Sequence, residues 1–131
     1  VFATASSNEK REFVRLLGAS RVFDSRSLAF ADEIRRATGG EGVEVVLNSL
    51  AGEAMVRSID VLRPFGRFLE LGKRDFYENS RIGLRPFRNN ISYFGIDADQ
   101  LMDASPQLTA SLFAQVMALL DQGVLDPLPY R

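Results

Sequence analysis

The chain has 131 residues, 46% of them hydrophobic and 25% charged, with a formal net charge of −1. That suits one hydrophobic core, and with no apolar run of membrane-spanning length and no basic leader a cytoplasmic location is expected. The chain contains neither cysteine nor histidine. Disulfides and a thiol nucleophile are therefore excluded, no metal site is expected, and proton transfer falls to Lys, Asp, Glu, Tyr or water. The near-neutral charge argues against a dedicated nucleic-acid binder.

In chain order, "VFATA" opens as a short apolar strand. "SSNEKREFVRLLG" follows as a helix, with Ser7 or Asn8 as N-cap, Phe13, Leu16 and Leu17 on one face, and Gly18 as the stop. "SRVFDS" is a second strand, and "LAFADEIRRATGG" a second helix ended by Gly39 and Gly40. "GVEVVLNSL" is a third strand, and "GEAMVRSIDVLRPFG" a third helix closed by Pro64 and Gly66. "RFLELG" and "NISYFGID" are the fourth and fifth strands. "SPQLTASLFAQVMALLDQG" is the last helix, with Ser105 as N-cap, Pro106 at its first position and Gly123 at its end. Its Leu108, Leu112, Val116 and Leu119 form a stripe that reads as core.

Strands alternating with helices imply parallel pairing, and "VEVVLN" and "RFLEL" have the uniform apolar character of strands covered on both faces. The expected fold is a doubly wound parallel α/β sheet of Rossmann-like type. Ligands bind such sheets at the carboxyl ends of the strands, here "TASSNEK", "DSRS", "NSLAGE", "GKRD" and "DADQ".

The first of these ends carries Ser6, Ser7, Lys10 and Arg11 at a helix start and no acidic residue at the strand end. Hydroxyls, cations and a helix N-terminus suit a phosphate. A plain N-cap on a solvated helix face accounts for the same residues. No G-x-G-x-x-G occurs, and "GGEG" at Gly39 to Gly42 follows a helix rather than a strand. If "VFATA" is the second strand of a nucleotide fold, its first strand and glycine loop lie upstream of residue 1. The fold is then truncated at the N-terminal strand. Residues 1–123 would be an incomplete cofactor-binding lobe, with 124–131 the start of a return to a substrate-binding lobe.

The stretch from "VFATASSNEK" through "VLNSLAGE" to "GRFLELGKRDF" resembles the enoyl reductase domain of type I polyketide synthases and animal fatty acid synthase. That domain lies in the zinc-free branch of the medium-chain dehydrogenase/reductase superfamily. The long unbroken match looks most like the mycobacterial lipid-forming synthases. The resemblance implies NADPH-dependent reduction of an α,β-unsaturated thioester held by an acyl carrier protein, within a multifunctional synthase. It implies that Thr4, Ser6, Ser7, Lys10 and Arg11 fall near the adenosine end and its 2′-phosphate, with Ser6, Ser7 and Lys10 the stronger candidates. Asn48, Ser49 and Leu50 would pass the cofactor, and Leu71, Gly72 and Lys73 would lie beside the nicotinamide. Lys73 matches a proposed catalytic donor and Asp97 its acidic companion; alternatively Lys73 only pairs with Asp75 or Asp97 and orders its loop.

Between Lys73 and Arg88 five cations face two anions, which suits a phosphopantetheine arm or an acidic carrier protein and equally a solvated loop. The apolar last strand, Ile91–Ile96, is a candidate homodimer edge. A non-catalytic nucleotide-binding or scaffolding module on the same fold is the alternative function. A receiver-like domain is disfavoured by Asn48 standing where a phosphoacceptor Asp is expected. A methyltransferase is disfavoured by the lysine after "LELG" and the lack of an acid after "VFATA".

Overall fold

In the computed structural model, which describes residues 1–127, β1 (Phe2–Ala5) lies parallel to β2 (Arg21–Asp24), with Phe2 opposite Arg21 and Ala5 opposite Asp24. The helix α1 (Asn8–Leu16) makes the crossover between them, as a parallel pair requires. A second sheet holds β3 (Val43–Asn48), β4 (Leu62–Glu70) and β5 (Ser92–Gly95) in that order, again all parallel. Helix α2 (Phe30–Ala37) precedes β3, and α3 (Glu53–Asp60) links β3 to β4. The short α4 (Arg74–Tyr77) and a 3-10 turn (Arg85–Asn89) lead into β5. The α/β class and parallel pairing agree with the sequence reading. Among the described residues β1 and β3 do not pair with each other. In a doubly wound order these two strands lie on either side of the point where winding reverses and are not sheet neighbours.

Val1–Ile96 form one compact unit, and the residues from Asp97 onward a second. The first unit has two apolar clusters. Phe23, Phe30, Ala31, Ile34 and Val61 are buried together, with Phe2, Val43, Val46 and Leu50 packed against them, so side chains from both sheets meet there. Met55, Ile59, Leu62, Phe68 and Ile91 form the other, where Phe68 is fully buried and stacks on Tyr93 with ring centroids 5.2 Å apart.

The third helix stops earlier than expected. It ends at Asp60, and "LRPFG" belongs to β4 as an irregularity. Val43 pairs with Leu62 and Val45 with Arg67, so Arg63–Gly66 loop out against the single residue Glu44. Proline is tolerated there because a bulged residue owes the ladder no N–H. Phe65 takes φ +63°, and a Cβ on Gly66 would sit 2.8 Å from the Arg63 carbonyl oxygen. Arg35 closes the junction. It donates to the carbonyls of Gly40 (2.9 Å), Glu41 (3.1 Å), Asp60 (3.1 Å) and Leu62 (3.2 Å), taking up acceptors left open where α3 ends.

Two burial expectations are corrected. Val45 and Leu47 on β3 are 40% and 67% exposed, so that face is not covered by the described residues. The second unit holds α5 (Ala98–Ala104) and α6 (Pro106–Asp121), and no residue of α6 is buried. The stripe read as core is therefore exposed, because α5 is the only other helix described in that unit. Pro106 does begin α6, but the Ser105 side chain makes no capping bond. Thr109 Oγ1 instead donates to the carbonyl oxygens of Leu101 (3.0 Å) and Ser105 (3.1 Å). Residues 128–131, half of the expected return segment, lie outside the described residues.

Candidate cofactor site

Strand β1 delivers Thr4, half-buried, and then Ser6 and Ser7 to the carboxyl edge of the first sheet. Ser7 is the N-cap of α1: its hydroxyl accepts the Lys10 N–H at 3.3 Å. Lys10 stands exposed on the first turn. Arg11 turns back instead, donating to the Ala5 carbonyl oxygen at 3.0 Å and approaching Asp24 at 3.5 Å. Asp24, in the strand end "DSRS" to which the sequence reading assigns no role, closes β2 opposite Ala5. Its Oδ1 also accepts the Arg26 N–H at 2.9 Å. It offsets part of the Arg11 charge and leaves Lys10 as the more available cation at this edge.

The second sheet brings the remaining candidates together. Asn48 ends β3 directly opposite Glu70, which ends β4, and Glu70 in turn lies opposite Gly95 of β5. One more ladder bond, Leu71 N–H to the Asn48 carbonyl oxygen at 2.8 Å, carries the pairing past the strand end. The loop 49–52 and the segment 71–73 therefore leave side by side, with Ser49, Leu50, Leu71, Gly72 and Lys73 upon them.

Two carboxylates hold these segments. Glu70 is 1% exposed; its Oε2 accepts from Asn48 Nδ2 at 2.7 Å and its Oε1 from the Gly72 N–H at 2.6 Å. Asn48 also donates to the Leu50 carbonyl oxygen (2.7 Å), while its Oδ1 accepts the Leu50 N–H (3.2 Å). Asp75, on α4 and 8% exposed, accepts the Gly52 N–H at 2.9 Å and ties α4 to the neighbouring loop. Burial pushes the Glu70 carboxyl above its ordinary value; the Asn48 and Gly72 donors oppose the rise and nearby Asp75 adds to it. Burial, then Glu70 and Asp75, likewise raises the Tyr93 hydroxyl. Neither Glu70 nor the Asp75 tie was foreseen. Within "RFLELG" a glutamate reads as an outward-facing polar residue, and only the Asn48 partner, 22 positions away, turns it inward.

Lys73 is half-buried and starts α4, its carbonyl oxygen accepting the Tyr77 N–H at 3.1 Å. Phe76 covers the end of β5, where a Cβ on Gly95 would meet its ring at 3.1 Å. Asp97 is not at a strand end as expected. It opens the second unit as the N-cap of α5, accepting the Asp99 N–H at 3.2 Å. The basic stretch after Lys73 is partly paired internally, with Arg74 2.9 Å from Glu78.

A family profile described as zinc-binding dehydrogenase matches residues 1–115. The nucleotide-binding subdomain of the enoylreductase domain of PpsC from Mycobacterium tuberculosis superposes with a TM-score of 0.87 at 42% identity. That match covers 97% of this chain and 71% of the other. The chain belongs to the zinc-binding dehydrogenase family, in its polyketide synthase enoyl reductase branch. The CurK enoyl reductase superposes on this chain with a TM-score of 0.83 at 39% identity, over 99% of this chain and 38% of that one. A mycocerosic acid synthase-like polyketide synthase of Mycobacterium tuberculosis is 42% identical over 129 residues. A phthioceranic/hydroxyphthioceranic acid synthase of Mycobacterium bovis is 43% identical over the same length. Each match takes in 98% of this chain but only 6% of the synthase. The family description names zinc, but the chain has no Cys or His to offer, and the described residues contain no group of three or more His, Cys, Asp or Glu placed for a metal. The donor set does not fit that ion.

Proposed function

We propose that these residues form the cofactor-binding lobe of an NADPH-dependent enoyl reductase within a multidomain polyketide or fatty acid synthase. Its substrate would be an enoyl thioester carried by an acyl carrier protein, reduced across the α,β double bond. The observation that carries this reading is the side-by-side exit of Asn48–Leu50 and Leu71–Lys73 at the carboxyl edge of a parallel sheet, in a chain of this family. A doubly wound order leaves room for one further parallel strand between β1 and β3.

Bound NADPH supplies the hydride; the roles of the chain's own residues follow from their chemistry. Ser6, Ser7 and Lys10 offer hydroxyls, a helix N-terminus and an exposed cation to the 2′-phosphate. No carboxylate ends β1 to repel that phosphate. Thr4 stands beside the adenosine end. Asn48, Ser49, Leu50, Leu71 and Gly72 flank the nicotinamide. The Lys73 ammonium is suited to the thioester carbonyl oxygen, where negative charge collects once hydride reaches the β-carbon. Asp97 is its proposed acidic companion, and the α-carbon receives its proton from Lys73 Nζ or from water.

NADPH oxidation with a short enoyl thioester, by the enoyl reductase domain carrying these residues, tests the reading. Turnover with NADPH well ahead of NADH supports it. NADPH binding that never leads to oxidation would replace it with the non-catalytic nucleotide-binding module. The edge strand β5, with Phe94 47% exposed, is the proposed homodimer contact through Ile91–Ile96. Sedimentation of wild type against Phe94→Lys examines it, and a wild-type monomer at all concentrations rejects it.

A further inference from the structure

We infer that the buried Asn48–Glu70 pair is the positioning device of the nicotinamide-side loops. This rests on the cofactor reading above. Both Glu70 oxygens act as acceptors, one for Asn48 Nδ2 (2.7 Å) and one for the Gly72 N–H (2.6 Å), the pattern of an ionised carboxylate. Asn48 holds Leu50 through both its N–H and its carbonyl oxygen. One pair thus fixes a backbone group two residues beyond the end of each strand. It leaves no lone acceptor or donor in the buried site, since no described buried side-chain polar atom lacks a partner. Gly72 is adapted to the arrangement: a Cβ there would lie 2.7 Å from Glu70 Oε1, so any side chain would expel the carboxylate. Glu70 touches neither cofactor nor substrate on this account. It acts through Gly72 and, by the adjacent peptide, on Lys73.

The pair has a directional logic that can be reversed. Glu70→Gln places an Nε2 donor against the Asn48 or Gly72 donor and breaks one bond. Asn48→Asp alone sets two carboxylates together in a buried site. In the double variant Asn48→Asp/Glu70→Gln, the new amide at position 70 donates to the new carboxylate at position 48 while still accepting from Gly72, but the donor to the Leu50 carbonyl oxygen is lost. The pair bond returns with its roles exchanged.

The test compares two probes, NADPH and adenosine 2′,5′-bisphosphate, which lacks the nicotinamide half. Binding of both is measured for wild type, Glu70→Gln and the double variant, with hydrogen exchange followed at the Gly72 and Leu50 amides. A loop-setting pair predicts about tenfold weaker NADPH binding in Glu70→Gln. Bisphosphate binding should stay within about twofold, because a site outside the disturbed loops adds independently. The double variant recovers slow exchange at Gly72 and part of the NADPH affinity, the Leu50 carbonyl having lost its donor. Equal weakening of both probes, or of neither, overturns the inference, since a merely structural role would not separate them. If Glu70→Gln does not fold, Gly72→Ala breaks the same bond from the other side and must give the same separation. Should wild type bind neither probe, the cofactor reading fails, and unchanged Gly72 and Leu50 exchange in the variants would sink the positioning role as well.

Discussion

Lys73 answers to two forces, a half-buried setting at the start of α4 and the negative charge that hydride transfer would bring to a thioester oxygen. In the reductase domain, Lys73→Ala should lower kcat with NADPH by about a hundredfold, the scale of a lost electrostatic or general-acid contribution. A change under threefold would reduce Lys73 to loop ordering. Glu70 has its own signature. Burial lifts its carboxyl above 4.5, so just above that pH the folded chain keeps a proton the unfolded chain has released. Its contribution to stability is full below that window and declines as pH rises through the folded value. Urea unfolding of wild type and Glu70→Gln should therefore show wild type losing ground to the variant as pH rises above the ordinary carboxyl value. The opposite slope would mean the two donors outweigh burial. Lys73 was visible in the sequence because a lysine straight after "LELG" breaks the pattern of a buried strand. Glu70 was not, since its role depends on a partner on another strand.

Elements were legible where periodicity is long and punctuation has one meaning. The starts of α1 and α6 follow from Ser7 and Pro106, and Gly18, Gly39, Gly40 and Gly123 take positive φ where the stops were expected. Pro64 and Gly66 misled because the residues that end a helix also build a bulge, and what decides is the pairing of Leu62 with Val43. Helices of four and seven residues, α4 and α5, carry too few turns to reveal a period. Two consequences belong at this level. Arg35→Ala leaves four carbonyls around the α2–β3–β4 junction without their donor and should cost about 2–3 kcal/mol in urea unfolding. A loss below about 0.5 kcal/mol would show water replacing the guanidinium at little cost. Ser7→Gly keeps most of the N-cap preference, at a cost of a few tenths of a kcal/mol, whereas Ser7→Ala costs about 1 kcal/mol. If Ser7 also meets the 2′-phosphate, both variants lose NADPH affinity alike despite that difference in stability. A plain cap would leave affinity unmoved in Ser7→Gly.

For the whole molecule, two parallel sheets share an apolar cluster through Phe2, Phe23, Val43 and Val46 while β1 and β3 stay unpaired with each other. Val45 and Leu47 on β3, and the apolar stripe of α6, remain exposed. Sequence predicted the apolar faces but not their fate, because a pattern of hydrophobicity says that a face is to be covered and not by what. On the proposed function, this polypeptide alone should show no measurable enoyl reduction, since it supplies neither a glycine loop nor a substrate lobe; efficient turnover by it would refute that division of labour. A carboxyl-edge site selective for NADPH can be checked by titrating the 131-residue chain with NADPH and NADH while recording amide chemical shifts. NADPH should shift Ser6, Ser7 and Lys10 and also Asn48–Leu50 and Leu71–Lys73, with NADH at least about tenfold weaker, the worth of one lost charge-assisted phosphate contact. Shifts elsewhere, or equal response to the two dinucleotides, would contradict it.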